Sequence, residues 1–312
     1  MTDEIITPES LTVFITGVIT PAGQALTRLL TAQGYQVTGV VNNSRQADAV
    51  RSLGAMPAYP DLYRAGEIRS AITGTNAKIV VNLEPQVPNH PPQIDAEWDL
   101  QIAEATQALL EAAEDAGVEY LVHTSYAFAD AHVGEGAEEA RPFLKVARSA
   151  EHAVQESPVP ACALRFGTLY GAESPDLMTL LDTLKAGRSV HPGFPHPTHW
   201  LYAADAAAAI NAAIHARPAK ETLTVTDGHP SSAVDFIQYF CEAQGLLAPD
   251  KPPRFSLRRP FNSLHEALQN LHYEAGNAAA KAELDWSPRF GSYKQGIDDL
   301  LITWRAMEPV TS

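Results

Sequence analysis

The sequence predicts a doubly wound α/β fold, a parallel sheet with helices on both faces, joined to a smaller C-terminal α+β domain. Three features of the 312 residues predict it. Short β-branched runs alternate with longer helical stretches through the first half. Those runs are continuously apolar, as strands buried on both faces are. A glycine-bearing turn, Gly17 to Gly23, lies between the first run and the first helical stretch.

Leu11 to Thr16 is the first apolar run, and Gln24 to Gln33 follows with apolar residues at helical spacing. Compact runs recur at Gln36 to Val41, Lys78 to Leu83, Tyr120 to Thr124 and Ala161 to Arg165. The helix Glu97 to Ala116 closes at Gly117, which is free to take the left-handed conformation of a C-cap. Beyond Gly171 the pattern changes. Pro192, Pro195 and Pro197 lack the N–H that a ladder needs, so His191 to His199 reads as a loop. Ala203 to Ala216 is helical and leads into a strand at Thr222 to Thr226. Two or three more helices follow, broken by the proline-rich Ala248 to Arg254. Residues 1–170, continued by 200–226, are expected to form the sheet domain, and 171–199 with 227–312 the smaller one.

Composition narrows the function. A formal charge of −15 argues against a nucleic-acid or anionic membrane surface, both of which need clustered Lys and Arg. With 45% hydrophobic and 19% charged residues the chain has ordinary globular composition rather than that of a disordered one. Cys162 and Cys241 sit in apolar stretches and predict no disulfide framework. The start Met1-Thr2-Asp3-Glu4 is acidic where a signal peptide is basic, and a cytoplasmic, soluble protein is expected.

Thr16-Gly17-Val18-Ile19-Thr20-Pro21-Ala22-Gly23 resembles the TGxxGxxG turn of short-chain dehydrogenases, where pyrophosphate meets a helix N-terminus. The resemblance continues in register. Asp61-Leu62 resembles the family's Asp-Leu pair after the third strand. Leu164-Arg165-Phe166 through Tyr170-Gly171 resembles its Leu-Arg-Pro-x-x-x-Tyr-Gly segment. Trp200 to Asp205, Thr224 to Gly228 and Leu284 to Arg289 resemble its later signatures. Together these cover nearly the whole chain and identify it as similar to the extended short-chain dehydrogenase/reductases, the NAD(P)-dependent epimerases and dehydratases. The resemblance implies a Rossmann-type sheet.

In that family a Tyr and a Lys four residues later share a helix face and move the proton, the Lys lowering the Tyr pKa. Pro142 and Glu151 fix the register here, and the two positions carry Phe143 and Ala147. Lys145 lies about 200° around the helix from Phe143 and is no substitute. The family's helical Asn falls on Ile102, and its Ser is retained as Ser125, which alone is a weak acid or base. Ser125 also has a purely structural reading, satisfying backbone groups at a strand end.

The cofactor positions that the resemblance implies are Gly17, Thr20, Pro21, Ala22 and Gly23 in the turn. They continue with Asn42 and Arg45 after the second strand, Asp61, Leu62, Leu83, Glu84, Thr124 and Phe166. Thr20 replaces the glycine of closest backbone approach, and a carboxylate at Glu84 would repel pyrophosphate. NADP or NAD is therefore expected to bind weakly or not at all. No acid that would bind the ribose 2′-OH follows the second strand, and Arg45 tips the choice toward NADP.

His123, inside a strand, reads as a core histidine. His191, His196 and His199 lie in a proline-rich loop and predict no metal site. The expected function is that of a non-catalytic relative, binding a small ligand or serving as a structural partner. The alternative is an oxidoreductase, epimerase or dehydratase on a nucleotide-sugar-like substrate, with Tyr126 or Tyr170 as an unusual proton donor. The resemblance also implies a homodimer through the helices Ile94 to Ala116 and Arg141 to Gln155, with Leu100, Leu109 and Val146 among their apolar positions.

Overall fold

The computed structural model describes residues 11–83, 98–188, 190, 195–249 and 263–307. The first half alternates strand and helix: β1 (Thr12–Thr16), α1 (Pro21–Ala32), β2 (Gln36–Val40), α2 (Ser44–Ser52), β3 (Met56–Ala58), α3 (Ala65–Thr75), β4 (Ile79–Asn82), α4 (Trp98–Asp115), β5 (Tyr120–Tyr126), α5 (Ala140–Glu156) and β6 (Ala161–Phe166). The second half adds β7 (Thr168–Tyr170), α6 (Pro175–Lys185), β8 (Pro197–Thr198), β9 (Trp200–Tyr202), α7 (Ala203–Ala216), β10 (Thr222–Val225), β11 (Ser231–Ser232), α8 (Ala233–Ala243), α9 (Ser263–Gln269), α10 (Ala278–Leu284) and α11 (Tyr293–Met307).

Seven strands form one parallel sheet in the order β10-β6-β5-β4-β1-β2-β3. The order reverses direction between β1 and β4, which opens a crevice at their C-terminal ends where ligands of such sheets bind. Val13 and Ile15 face α1 and α7 on one side, with Leu26, Leu30 and Ile210. Phe14 faces the other side with Ile68, Ile72, Leu109 and Val154. A third cluster, Tyr170, Leu180, Trp200, Phe240, Ile297 and Leu300, is the core of the C-terminal helical region.

Two family signatures turn out to be one structural joint. The carboxylate of Asp205, at the start of α7, accepts from the backbone N–H groups of Arg289 (2.8 Å) and Phe290 (3.0 Å). Gly296 is required by packing, since a Cβ there would stand 2.0 Å from the Tyr170 hydroxyl.

Some boundaries differ from the sequence reading. α1 starts at Pro21 rather than Gln24, because Thr20 caps it and proline at the first position lacks an N–H that would be unpaired anyway. β5 runs on to Tyr126 because Ser125 and Tyr126 pair with Arg165 and Phe166. Within the expected loop His191 to His199, Pro197–Thr198 forms a short edge pair with Ser231–Ser232, and two residues at an edge tolerate a proline. His191 and most of the stretch Ala248 to Arg254 lie outside the described residues. Cys162 and Cys241 are buried free thiols. Among the described residues no helix is long and apolar enough to cross a membrane.

Candidate functional site

The turn after β1 keeps the backbone shape that a dinucleotide needs. Gly17 has φ +64°, open to glycine at low cost. A Cβ on Gly23 would stand 2.3 Å from the Gly17 carbonyl oxygen, so α1 could not sit this close to β1 with any other residue. Thr20 resolves the conflict raised by its side chain by folding inward. Its hydroxyl donates to the Gly17 carbonyl (2.7 Å) and accepts from the Gly23 N–H (3.1 Å). Pro21 lacks an N–H, and Ala22 is buried beneath the turn. The residues present fit a pyrophosphate at the α1 N-terminus, with one amide already engaged by Thr20.

Under this turn the ends of β1, β4 and β5 are joined by a buried polar chain. Thr16 donates to Asn82 Oδ1 (2.6 Å) and accepts from Leu83 N–H (3.2 Å). Asn82 Nδ2 meets His123 Nδ1 at 3.1 Å, and Thr124 donates to the Asn82 carbonyl (3.1 Å). Burial pushes His123 down to about 4, so it is neutral, and the Asn82 amide donating to Nδ1 places its proton on Nε2. His123 is thus a hydrogen-bonded core residue.

At the C-terminal ends of β5 and β6 a cleft opens, lined by Ser125, Tyr126, Phe128, Thr168, Leu268 and Tyr273, with Thr124 and Phe166 also on its wall. Ser125 is buried, and its hydroxyl has no hydrogen-bond partner among the described residues. Phe143, Ala147 and Ile102 do not reach this cleft as polar groups would. They lie together in an apolar cluster with Tyr126, onto which Ala267, Leu268 and Leu271 pack from the α9 segment. Lys145 is exposed on the far side of α5. Behind the cleft, Arg165 makes a bidentate ion pair with the buried Glu151 (2.8 and 2.7 Å) and pairs with Asp130, tying β6 to α5.

The remaining candidates are scattered around the crevice. Asn42 and Arg45 are exposed after β2, where Asn42 N–H donates to Gln46 and Asn43 caps α2. Asp61 accepts from Tyr63 N–H and pairs with Arg64 (3.2 Å), while Leu62 is half-buried. Leu83 is buried, and Glu84 lies outside the described residues. Tyr170 is removed from the list of proton donors: it is fully buried in the C-terminal core, under Gly296, where no substrate reaches it. Among the described residues no cluster of His, Cys, Asp and Glu could hold a metal ion.

Sequence reasoning missed Tyr273, Thr168 and the α9 segment, which follows the sheet domain by tens of residues. No motif announces them; only the fold carries them to the cleft.

Comparison with known proteins places this geometry. A family model described as NAD(P)H-binding matches residues 21–191. A 3-diazoavenalumate denitrifying reductase from a Streptomyces species is 28% identical over 302 residues, covering 90% of this chain and 96% of that protein. A 4-hydroxy-2-methyl-3-oxo-4-farnesyl-3,4-dihydroquinoline-1-oxide ketoreductase from Stigmatella aurantiaca is 24% identical over 277 residues, covering 82% and 80%. Among solved structures, a UDP-glucose-4-epimerase from Stenotrophomonas maltophila with bound NAD superposes with a TM-score of 0.72 at 19% identity, covering 95% of this chain and 98% of that one. At that identity it shows the fold alone, an epimerase/dehydratase-type fold.

Proposed function

Because the chain belongs to the NAD(P)H-binding family, we propose that it is an NAD(P)H-dependent reductase acting on a compact, ring-bearing ketone or comparable electrophile, and not a non-catalytic binder. The observation that carries this reading is the Ser125 hydroxyl, buried and without a partner among the described residues, at the cleft on the C-terminal ends of β5 and β6. An orphaned hydroxyl costs about 1–3 kcal/mol, which a ligand oxygen would relieve. The names of the two reductase relatives support the same direction.

Bound NAD(P)H supplies the hydride. The chain would do the rest: the Gly17 to Gly23 turn would receive the pyrophosphate, the exposed Arg45 would meet a ribose phosphate, and Ser125 would donate to the acceptor oxygen. Tyr126, Phe128 and Tyr273 wall the acceptor and exclude water. No cationic side chain lines the cleft among the described residues, which favours an uncharged ring over the nucleotide sugar expected from the sequence. The cleft encloses about 50 Å³, less than the ~150 Å³ that admits benzene, so a ring would need the α9 segment to shift outward. The working unit is a homodimer in which α4 and α5 of two copies pair.

Calorimetric titration with NADPH and NADH, followed by absorbance of NADPH oxidation with 9,10-phenanthrenequinone, tests the reading. Micromolar cofactor binding with protein-dependent oxidation is expected. Absence of both at millimolar cofactor would sink it.

A further inference from the structure

We propose that Tyr273 is the proton donor of this site, in place of the helical tyrosine that Phe143 has replaced, and that the Thr168 hydroxyl stabilises its phenolate. The proposal rests on the reductase reading and deepens it.

Ketone reduction needs a proton as well as a hydride, and the usual pair is absent. Ser125 can orient an oxygen but is too weak an acid to complete the step. Tyr126 lies stacked on Phe128 (5.3 Å, 19°) and against Phe143 (5.1 Å), in the most apolar part of the site, where burial alone lifts its pKa far above the phenol range. Tyr273 is differently placed. It lines the same cleft as Ser125. Thr168 lines the same cleft, and its hydroxyl acts on the Tyr273 phenol to lower its pKa. A hydroxyl donated to a phenolate is what favours release of its proton.

The support around Tyr273 is built from several elements. Its ring stands edge-on to Phe128 (6.0 Å, 71°) and packs against His199 (5.1 Å), and its carbonyl meets His199 Nε2 at 3.2 Å. Thr168 N–H donates to the His199 carbonyl (2.7 Å), and a Cβ on the neighbouring Gly167 would lie 2.4 Å from that oxygen. Thr168, His199 and Tyr273 therefore hold one another in register. Burial pushes the Tyr273 phenol up to about 12, while its hydrogen bonds to His199 and Thr168 pull down. It keeps its proton at neutral pH and serves as acid rather than base. Titratable groups around it are His199 and its exposed chain neighbours His272 and Glu274.

The step balances. A hydride with its electron pair joins the carbonyl carbon, and the C=O π pair moves to oxygen. The Tyr273 proton then joins that oxygen, leaving the alcohol, the oxidised cofactor and a phenolate that takes a proton from water. An alkoxide is a stronger base than a phenolate, so the transfer runs downhill.

The full chain and its Tyr273→Phe, Thr168→Val and Thr168→Ser variants would be compared on two acceptors. 9,10-Phenanthrenequinone needs hydride and proton; the 10-methylacridinium ion takes hydride alone. Tyr273→Phe should lower kcat on the quinone by about 100-fold or more, the usual worth of a general acid. KM, NADPH affinity and acridinium reduction should change by less than about threefold. Thr168→Val should lower quinone turnover and raise the Tyr273 titration midpoint, read by NMR of ring-labelled tyrosine, and Thr168→Ser should restore both. Quinone turnover unchanged in Tyr273→Phe, or loss of both acceptors together, would overturn the proposal while leaving the reductase reading in place. Neither acceptor reduced by the unaltered chain would overturn both.

Discussion

The rings of Tyr126 and Phe143 lie 5.1 Å apart at 58°, joined by Phe128 at 6.2 Å from Phe143, so the position that carries a catalytic tyrosine in related folds is here part of an aromatic wall. The α9 segment packs on that wall through Leu268 and Leu271. Restoring Phe143→Tyr and Ala147→Lys together should therefore not improve cofactor binding. A hydroxyl and an ammonium would enter a packed apolar cluster, costing roughly 2–5 kcal/mol of stability. Denaturant unfolding and calorimetry of the double variant check this; unchanged stability with tighter NADPH binding would show that the cluster is loosely packed.

Thr20→Gly should free the Gly23 amide for a phosphate. Glycine is nearly as good a cap as threonine, so stability should fall by only a few tenths of a kcal/mol, about. NADPH affinity should rise about fivefold, the worth of roughly 1 kcal/mol for one recovered hydrogen bond. Thr20→Val, which loses the cap without freeing the approach, should cost about 1 kcal/mol of stability and gain no affinity.

Arg45 is exposed in the first turn of α2 and makes no ion pair among the described residues. If it meets the 2′-phosphate, Arg45→Ala should weaken NADPH by about tenfold or more, the worth of a charged hydrogen bond, and leave NADH within about twofold. Equal loss for both cofactors would place the guanidinium elsewhere.

Two buried groups give opposite pH dependences. His123 is pushed down to about 4 by burial, below its ordinary 6.5. The unfolded chain takes up that proton first, so this contribution to stability is full above pH 6.5 and is lost as pH falls toward 4. Asp227 is pushed up to about 6 by burial, chiefly, against the pull of the His229 amide. The folded chain protonates it first, and stability is gained as pH falls from 6 toward 4. Asp227→Asn should remove the second effect and steepen acid destabilisation over that window, by on the order of 1–3 kcal/mol at pH 4.5. Urea midpoints across pH 4.5 to 7.5, at about half-unit steps, read the difference. Parallel profiles would mean that Asp227 titrates alike in both states.

A homodimer through α4 and α5, if it forms, should be sensitive to salt. Leu109 is consumed in the internal cluster under α4, and Val146 packs partly buried against the site cluster. What α4 shows to solvent is Glu104, Gln107, Glu111 and Glu114, and what α5 shows is Arg141, Lys145, Arg148 and His152. Two copies related by a two-fold axis would bring acidic face to basic face. Light scattering should find a dimer at low ionic strength that weakens at about 1 M salt, where charges are screened within about 3 Å. A monomer at low salt would count against the pairing.

The sheet was legible because its signals are local. The runs from Leu11 to Arg165 are apolar on consecutive residues, and at the turn between the first of them and the first helix Gly17 takes a positive φ while a Cβ on Gly23 would collide with backbone. Ser125 was legible as a site residue through its place in a motif. Its missing partner, Tyr273, carries no comparable mark: it follows a short helix, and its meaning lies in contacts with Thr168 and His199, 105 and 74 positions away by the numbering. Tyr170 shows the reverse error. It sits in a strongly patterned segment, yet Gly296 from α11 closes over its hydroxyl.

The sequence by itself determined the parallel sheet and its glycine turn, because strand burial and positive φ act over a few residues. Only the tertiary structure decided where Thr20 turns its hydroxyl and that α9 packs on Phe143 and Ala147. It also decided that Tyr273 and Ser125 line one cleft. Those outcomes depend on side-chain packing between segments far apart in the chain, which local pattern does not encode.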